Sequence, residues 1–501
     1  MPAAVTSWVV TAAGILWPIG NIVGTLCAAG AVSGLLLWRA GAQRSRMRTI
    51  GIGVAAAGVV GAGFGFAIAL RANAVAHHPI VAAFGTSVEV AVTPTESAVP
   101  VGHGRLLFRA VLRQLEHGET YGRAVVFAPA RDFGAVMVGQ PMRFRARVKA
   151  PTRHDLTVAV IIATGAPTTG RAGPLHRAAY AVRAGFADTA RRVLPADQAA
   201  MLPALVLGDM SAVSPVTGQE FRTAGLTHLT AVSGANVTIV CGAVLFSSRL
   251  IGPRAAVGLA GVALVLFVIV VQPTASVLRA AVMGAIALVG VLSSRRRQAI
   301  PALAASVLLL MVVAPQLAVD VGLALSVVAT AALVIIAPVW SRRLVLAGWP
   351  KPLADAACVA CAAQLVTAPL IAGISGRVSL VSAAANLAVA ALIAPITVLG
   401  SAAAALCLCW PAAAELLIRF TGPEVWWLLR IAHWAANIPA ASVPVPAGLA
   451  GVLTVGAAGL LTVVLWRWRW FRTGLALAGC ALLAWSLSGV LAGAGGPVGR
   501  T

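Results

Sequence analysis

Charge is the scarce commodity of this sequence. Of 501 residues only 10% are charged while 60% are apolar, too few ionic groups to clothe the surface of a water-soluble fold of this length. The chain therefore reads as embedded in a membrane. Cysteine is sparse where it would matter most. All seven cysteines (Cys27, Cys241, Cys358, Cys361, Cys407, Cys409 and Cys480) lie in apolar stretches, which excludes a disulfide framework for any water-exposed part. The pair Cys358 and Cys361 has redox or zinc spacing, but it stands among Ala and Val with no second ligand pair, so small helix residues are the expected role. No G-x-x-x-x-G-K-[ST] loop is present, so the chain carries no motor of its own. Met1 to Trp8 lacks a basic n-region and no small-residue cleavage site follows it, so the first apolar stretch is expected to be retained as a span.

What is present is a long series of apolar runs. A bilayer core about 30 Å thick needs roughly 20 apolar residues per helix, and about 11–13 transmembrane helices can be counted on that basis. Residues 8 to 38 and 49 to 70 flank Arg39, Arg44, Arg46 and Arg48, a basic loop that should stay cytoplasmic. The first of these runs is either one helix or a pair broken near Pro18 to Asn21. Further spans are predicted at 226 to 248, 255 to 271, 274 to 292, 299 to 313, 318 to 340, 355 to 373, 379 to 400, 402 to 418, 445 to 466 and 473 to 492. The formal charge of +23 could suit a polyanion partner, but much of it falls in loops that hold topology: Arg249 and Arg254, Arg295 to Arg297, Arg342, Arg343 and Lys351, and Arg467, Arg469 and Arg472. Trp426, Trp427 and Trp434 mark residues 419 to 443 as an interfacial helix.

Between residues 72 and 175 the hydrophobic period changes to two, the pattern of half-buried strands. In one stretch Leu106, Phe108, Ala110 and Leu112 alternate with Arg105, Arg109 and Arg113. In another, Phe144, Ala146 and Val148 alternate with Arg143, Arg145, Arg147 and Lys149. With strands near 87 to 93, 122 to 127 and 156 to 163, about five are expected, which fits an inserted small β-barrel of the OB type without excluding another small β fold. The predicted fold is thus a polytopic α-helical membrane protein with that β domain inserted. Its parts are N-terminal helices (1–71), a water-exposed β domain (72–175), a helical linker (176–224) and a second membrane block (225–501). In the linker, His176 to Val193 reads as an amphipathic helix. A half-buried helix ending at Leu207-Gly208-Asp209 and a short helix carrying Glu220 and Arg222 follow, all expected near the outer surface.

Polar residues inside a membrane block lose stability unless they are paired or line water, so they are functional candidates. The densest group is Gly225-Leu-Thr-His-Leu-Thr-Ala-Val-Ser-Gly-Ala-Asn236, where His228, Thr230, Ser233 and Asn236 interrupt an apolar run and Gly225 and Gly234 permit a break. They either line a polar pathway or merely bind helices together. Arg279, Asp320, Gln364 and Asn386 recur singly. Arg279 and Asp320 could pair across two helices, and Asp320 could equally cap a helix start.

Leu205-Val-Leu-Gly-Asp209 followed by Phe221-Arg-Thr-Ala-Gly-Leu-Thr-His-Leu-Thr-Ala-Val-Ser-Gly-Ala-Asn-Val237 resembles the competence signature of the ComEC family of bacterial DNA-uptake channels. The segments Pro273 to Met283, Asp320 to Thr330 and Gln364 to Pro395 are similar to that family's, in the same order. The β domain matches its OB-like domain in place and type. The resemblance implies passage of transforming single-stranded DNA across the cytoplasmic membrane, and the basic loop from Arg39 to Arg48, expected in the cytoplasm, puts the β domain on the extracytoplasmic side. It carries over to Gly208, Asp209, Gly225, His228, Ser233, Gly234, Arg279, Asp320, Ser326, Gln364 and Asn386. Asn236 departs from the family's usual His. Long family members continue into a metallo-β-lactamase-like domain. Here the sequence ends at Thr501, and none of its eight histidines forms an H-x-H-x-D-H cluster, so a short form is expected, with neither metal, cofactor nor enzymatic activity of its own.

On that implication the β domain, with eleven basic and six acidic residues, could attract a phosphate backbone through Arg105, Arg109, Arg113, Arg143, Arg145, Arg147 and Lys149. Tyr121 is the exposed aromatic candidate, whereas Phe108, Phe127 and Phe144 are expected in the core. A purely structural β domain stays equally open. The pathway would be lined by Thr230, Ser233, Asn236, Gln364, Asn386 and Arg279. Expected partners are single-stranded DNA, membrane lipid, a separate DNA-translocating ATPase, a separate nuclease, and further copies of the chain. One rival is a proton-coupled transporter or exporter of a small or lipidic solute, using His228, Asp320 and Arg279. A membrane enzyme with Ser233 as nucleophile and His228 as base is a weaker one, because five residues place the two about 140° apart on a regular helix.

Overall fold

The computed structural model describes residues 1–40, 45–116, 118–134, 136–230, 232, 234–272, 274–292, 299–470, 472–474 and 477. It divides into two units. The first comprises Met1–Ala212, Val232–Val327 and Thr397–Phe420, and the second Val213–Ala231, Val328–Ile396 and Thr421–Thr501. Among the described residues, seven segments are helical, long and apolar enough to cross a membrane: Gly20–Ala40, Ser45–Ala83, Pro253–Val271, Val321–Leu346, Lys351–Ser375, Ser382–Leu406 and Gly448–Leu465. Five further apolar helices have 10–17 residues. The count falls below the eleven to thirteen expected because several apolar runs are shorter or broken helices; the run at 473 to 492 lies almost wholly outside the described residues.

In the first unit the run from 8 to 38 is a pair, α1 (Pro2–Leu16) and α2 (Gly20–Ala40). Pro18, which has no N–H to give, stands in the break. Helix α3 (Ser45–Ala76) lies against α2 backbone to backbone. A Cβ on Gly34 would come within 2.4 Å of the Ala55 nitrogen, and one on Gly58 within 2.5 Å of the Ala31 nitrogen. Small residues permit this approach, and in a bilayer such close packing holds helices together. At 32 residues, α3 rises roughly 48 Å, more than the hydrocarbon core requires. Its end reaches the β domain, where Val75 packs on the sheet's core.

That sheet is built from β1 (Ser87–Pro94), β2 (Arg105–Leu115), β3 (Gly118–Pro129), β4 (Met142–Lys149) and β5 (Thr157–Ala163), with two short end strands. β1 pairs antiparallel with β2, β2 with β3 and β5 with β4; β3 runs parallel to β5. β4 in turn pairs with β1, setting Val90 opposite Phe144 and Glu89 opposite Arg145. The alternation read from the sequence holds, since Leu106, Phe108, Ala110, Leu112, Phe144, Ala146 and Val148 are all buried. Phe133, on a short helix between β3 and β4, inserts into this core edge-on to Phe144 at 5.1 Å. Phe127 is a correction. It faces the opposite side from Val126 and Ala128 and is half-buried, because a period of two puts odd-numbered β3 residues outward.

Helix α4 (Pro174–Val193) is amphipathic as expected, but α5 (Ala196–Leu207) is buried from Met201 through Leu207 and is not a half-buried surface helix. Three further expectations are corrected. The run 226 to 248 is not one span, since helix Thr227–Thr230 stops before helix Gly234–Ser247 begins. The spans expected at 379 to 400 and 402 to 418 are instead one helix, Ser382–Leu406, that passes through Gly400, and the start of a second, Pro411–Asn437. Gly400 serves packing, not termination, because a Cβ there would strike Val206 at 2.4 Å. The three tryptophans of the expected interfacial segment therefore belong to a 27-residue helix.

The second unit contains helices Pro215–Thr223, Ala337–Leu346, Lys351–Ser375 and Gly448–Leu465. Strand Arg377–Ser379 pairs antiparallel with Ser442–Pro444.

Candidate polar pathway and basic face

Contiguous in sequence, the polar stretch 225–236 divides between the units at residues 231 and 232. Ser233 lies outside the described residues.

In the second unit three candidates share one hydrogen-bonded cluster. Gln364 Nε2 donates to the Ser379 carbonyl at 3.2 Å, and Ser379 Oγ donates to the Thr223 carbonyl at 2.7 Å. Asn386 Nδ2 donates to the carbonyl of Ser382 at 2.8 Å and lies 3.5 Å from that of Gly225. Gly225 adopts φ +72°, and a Cβ there would meet Ser382 Oγ at 2.4 Å. Glycine is thus required twice over, by conformation and by space. The cluster ties the segment between two short helices to Lys351–Ser375 and Ser382–Leu406. His228 is exposed, while Thr230 is buried and spends its hydroxyl on the Thr227 carbonyl at 2.8 Å. Thr230 thereby acts within its own helix turn. Beside the cluster, His433 Nδ1 lies 2.7 Å from Glu220 Oε1, a pair the sequence alone did not single out.

In the first unit the candidates gather at the C-terminal end of α5. Gly208 closes that helix in the left-handed conformation, φ +71°, its N–H bonded to Ala204 O and that of Asp209 to Pro203 O. The remaining carbonyls are met by side chains: Asn236 Nδ2 donates to Leu205 O at 3.2 Å, and Arg183 donates to Leu207 O at 2.8 Å and to Val270 O at 3.2 Å. Arg183 also stands 3.7 Å from Asp209. Burial lowers the Arg183 pKa, and the Asp209 carboxylate opposes that shift. Sequence reading passed over Arg183, one of several arginines on an amphipathic helix; its position on that helix's buried side was the available signal.

Arg279 and Asp320 are not paired. Buried Arg279 donates through Nε to Ser326 Oγ at 2.8 Å, and a Cβ on Gly234 would approach its guanidinium to 3.0 Å. Asp320 Oδ1 instead accepts from the Leu323 N–H at 2.9 Å, capping helix Val321–Ile335. Its charge also acts on half-buried Arg123 of β3, whose pKa burial and Arg109 lower while Glu96, Asp155 and Asp320 raise it. Gln272, just before the Arg279 helix, accepts from the N–H and hydroxyl of Ser97 at 3.1 and 2.8 Å.

On the β domain, β4 presents Arg143, Arg145, Arg147 and Lys149 to one exposed side. Arg143 donates to Gln114 at 2.8 Å. Arg109 is engaged by both carboxylate oxygens of Glu96 at 3.1 Å. Arg113 lies over Tyr121, 5.1 Å from the ring centre, and Tyr121 is 65% exposed. Arg105 is exposed at the start of β2.

Apolar spans, an inserted β sheet and polar clusters held at helix breaks define a multi-pass membrane protein. A family model described as Competence protein matches residues 205–470, more than half of the chain, including the second-unit cluster and, from the first, Gly208, Asp209 and Asn236 but not Arg183. The chain belongs to the competence protein family, the one its motifs resemble. No curated protein and no solved structure matches it.

Proposed function

We propose that this protein passes single-stranded transforming DNA across the cytoplasmic membrane, with its β domain on the extracytoplasmic side. The observation that carries the reading is the Gln364–Ser379–Thr223 and Asn386–Ser382–Gly225 cluster, neutral polar groups held inside an apolar helical unit. Neutral donors and acceptors suit a polyanion that must leave again, because they bind it without trapping it. Family membership supports DNA uptake as the process.

The β domain supports the same reading. We read its strand path, which returns to its start with one parallel pair and a short helix before β4, as an OB-type barrel. Such barrels hold single strands by a basic groove and aromatic stacking. Here Arg143, Arg145, Arg147 and Lys149 supply charge, and the Arg113-supported Tyr121 ring supplies a stacking face. The side assignment rests on the basic loop Arg39–Arg48 preceding α3 and the β domain following it. Because the sequence contains no nucleotide-binding loop, the driving force would come from a separate ATPase or the proton gradient, and removal of the second strand from a separate nuclease. Self-assembly belongs to the same proposal.

Uptake of labelled DNA by a deletion strain complemented with Asn386→Ala or Gln364→Ala tests it. Both variants should reach the membrane and admit at least tenfold less DNA. Full transformation by the deletion strain would overturn the reading and favour transport of a small solute.

A further inference from the structure

We propose that the first unit carries a binding groove for a phospholipid with an anionic headgroup. The groove, about 300 Å³, runs along α3 past Val59, Gly63, Phe64 and Ala67, faces Thr11 of α1 and Met311 of helix Ala299–Val313, and ends at Arg71. Its wall is apolar. Even the Thr11 hydroxyl is turned away, donating to the Ser7 carbonyl at 2.6 Å.

From Val59 to Arg71 α3 rises roughly 18 Å, a little over half the hydrocarbon thickness, so the groove has the length of one acyl chain in one leaflet. Arg71 lies five residues before α3 ends at Ala76 and the β domain begins, which is headgroup depth. It is exposed and donates through one nitrogen to the Val312 carbonyl at 3.3 Å. Among the described residues no carboxylate pairs with it. A guanidinium has five N–H donors in a planar fork that matches phosphate oxygens, so most of its capacity faces outward. Apolar walls of chain length ending in an unpaired, anchored cation are complementary to a lipid tail and phosphate together. A helix, about 10 Å across with its side chains, is too thick for this volume, which argues against a second protein segment as the occupant.

Two variants separate the parts of the site. Gly63 lines the groove and an added Cβ there meets nothing within 4 Å, so Gly63→Leu is expected to narrow the groove with no backbone clash at its Cβ. Arg71→Gln removes the charge and keeps a donor for Val312. The full-length protein is purified from nanodiscs of equimolar phosphatidylglycerol and phosphatidylcholine, and retained lipid is counted by native mass spectrometry, with no DNA involved. Wild type should retain phosphatidylglycerol at least fivefold over phosphatidylcholine. Arg71→Gln should lose that preference, and Gly63→Leu should lose about one lipid of either kind. Equal retention of both lipids by wild type, or retention unchanged in both variants, would overturn the proposal. So would a change of oligomeric state, in place of lipid loss, in Gly63→Leu.

Discussion

Arg183 and Asp209 stand 3.7 Å apart at the end of α5, and the same guanidinium holds the carbonyls of Leu207 and Val270. One buried cation therefore fixes the turn that opens the family-matched region. Breaking it leaves two carbonyls without their donor and a carboxylate without its counter-charge.

We expect Arg183→Met to lower the unfolding free energy by about 3 kcal/mol, measured as a fall in melting temperature in detergent. Arg183→Lys should not restore it, because a point ammonium cannot span acceptors on two segments. Asp209→Asn should cost less, since that carboxylate is partly solvated. A wild-type melting curve for Arg183→Met would show the contacts to be incidental.

Gly58 and Gly63 share a helix and should differ sharply. A Cβ at Gly58 meets the Cys27 carbonyl at 2.6 Å, whereas one at Gly63 meets nothing. Gly58→Leu is expected to force α2 from α3 and expose both to protease, while Gly63→Leu remains resistant. Equal digestion of the two would refute the packing argument.

At Gly225 both conformation and space exclude a side chain. Gly225→Ala should cost about 2 kcal/mol from the left-handed φ and the approach to Ser382. Adding Ser382→Gly should recover part of that loss, since it relieves the contact but not the φ. Full recovery would mean that only space mattered.

The β domain has its own hydrophobic core, from Ile80 to Ala163. A fragment spanning residues 78–172 is therefore expected to fold alone and unfold cooperatively in urea. Within it Phe133→Ala should lose about 3–5 kcal/mol, enough to unfold a domain this small. Arg147→Glu with Lys149→Glu should leave its urea midpoint in place, since Arg147 stands opposite Ser87 and not a carboxylate, and weaken binding of a single-stranded oligonucleotide at least tenfold. An affinity independent of salt would count against phosphate contacts.

Much of this was legible in the residues themselves. Scarce charge required a membrane, and a period of two from Leu106 to Leu112 and from Arg143 to Lys149 set which side chains face the core, because alternation is a property of the strand and needs no partner. The clustering of Gly225, His228 and Asn236 marked the break in an apolar run for the same local reason. Pairing was another matter. Only tertiary structure decided that Arg279 meets Ser326 and not Asp320, that Phe133 fills the β core, that Gly400 packs and does not terminate, and that Arg183 is the donor for α5. Each of these depends on which backbone approaches across tens or hundreds of residues. The scarce charge that announced a membrane says nothing of that, because composition counts ionic groups while the fold chooses their neighbours.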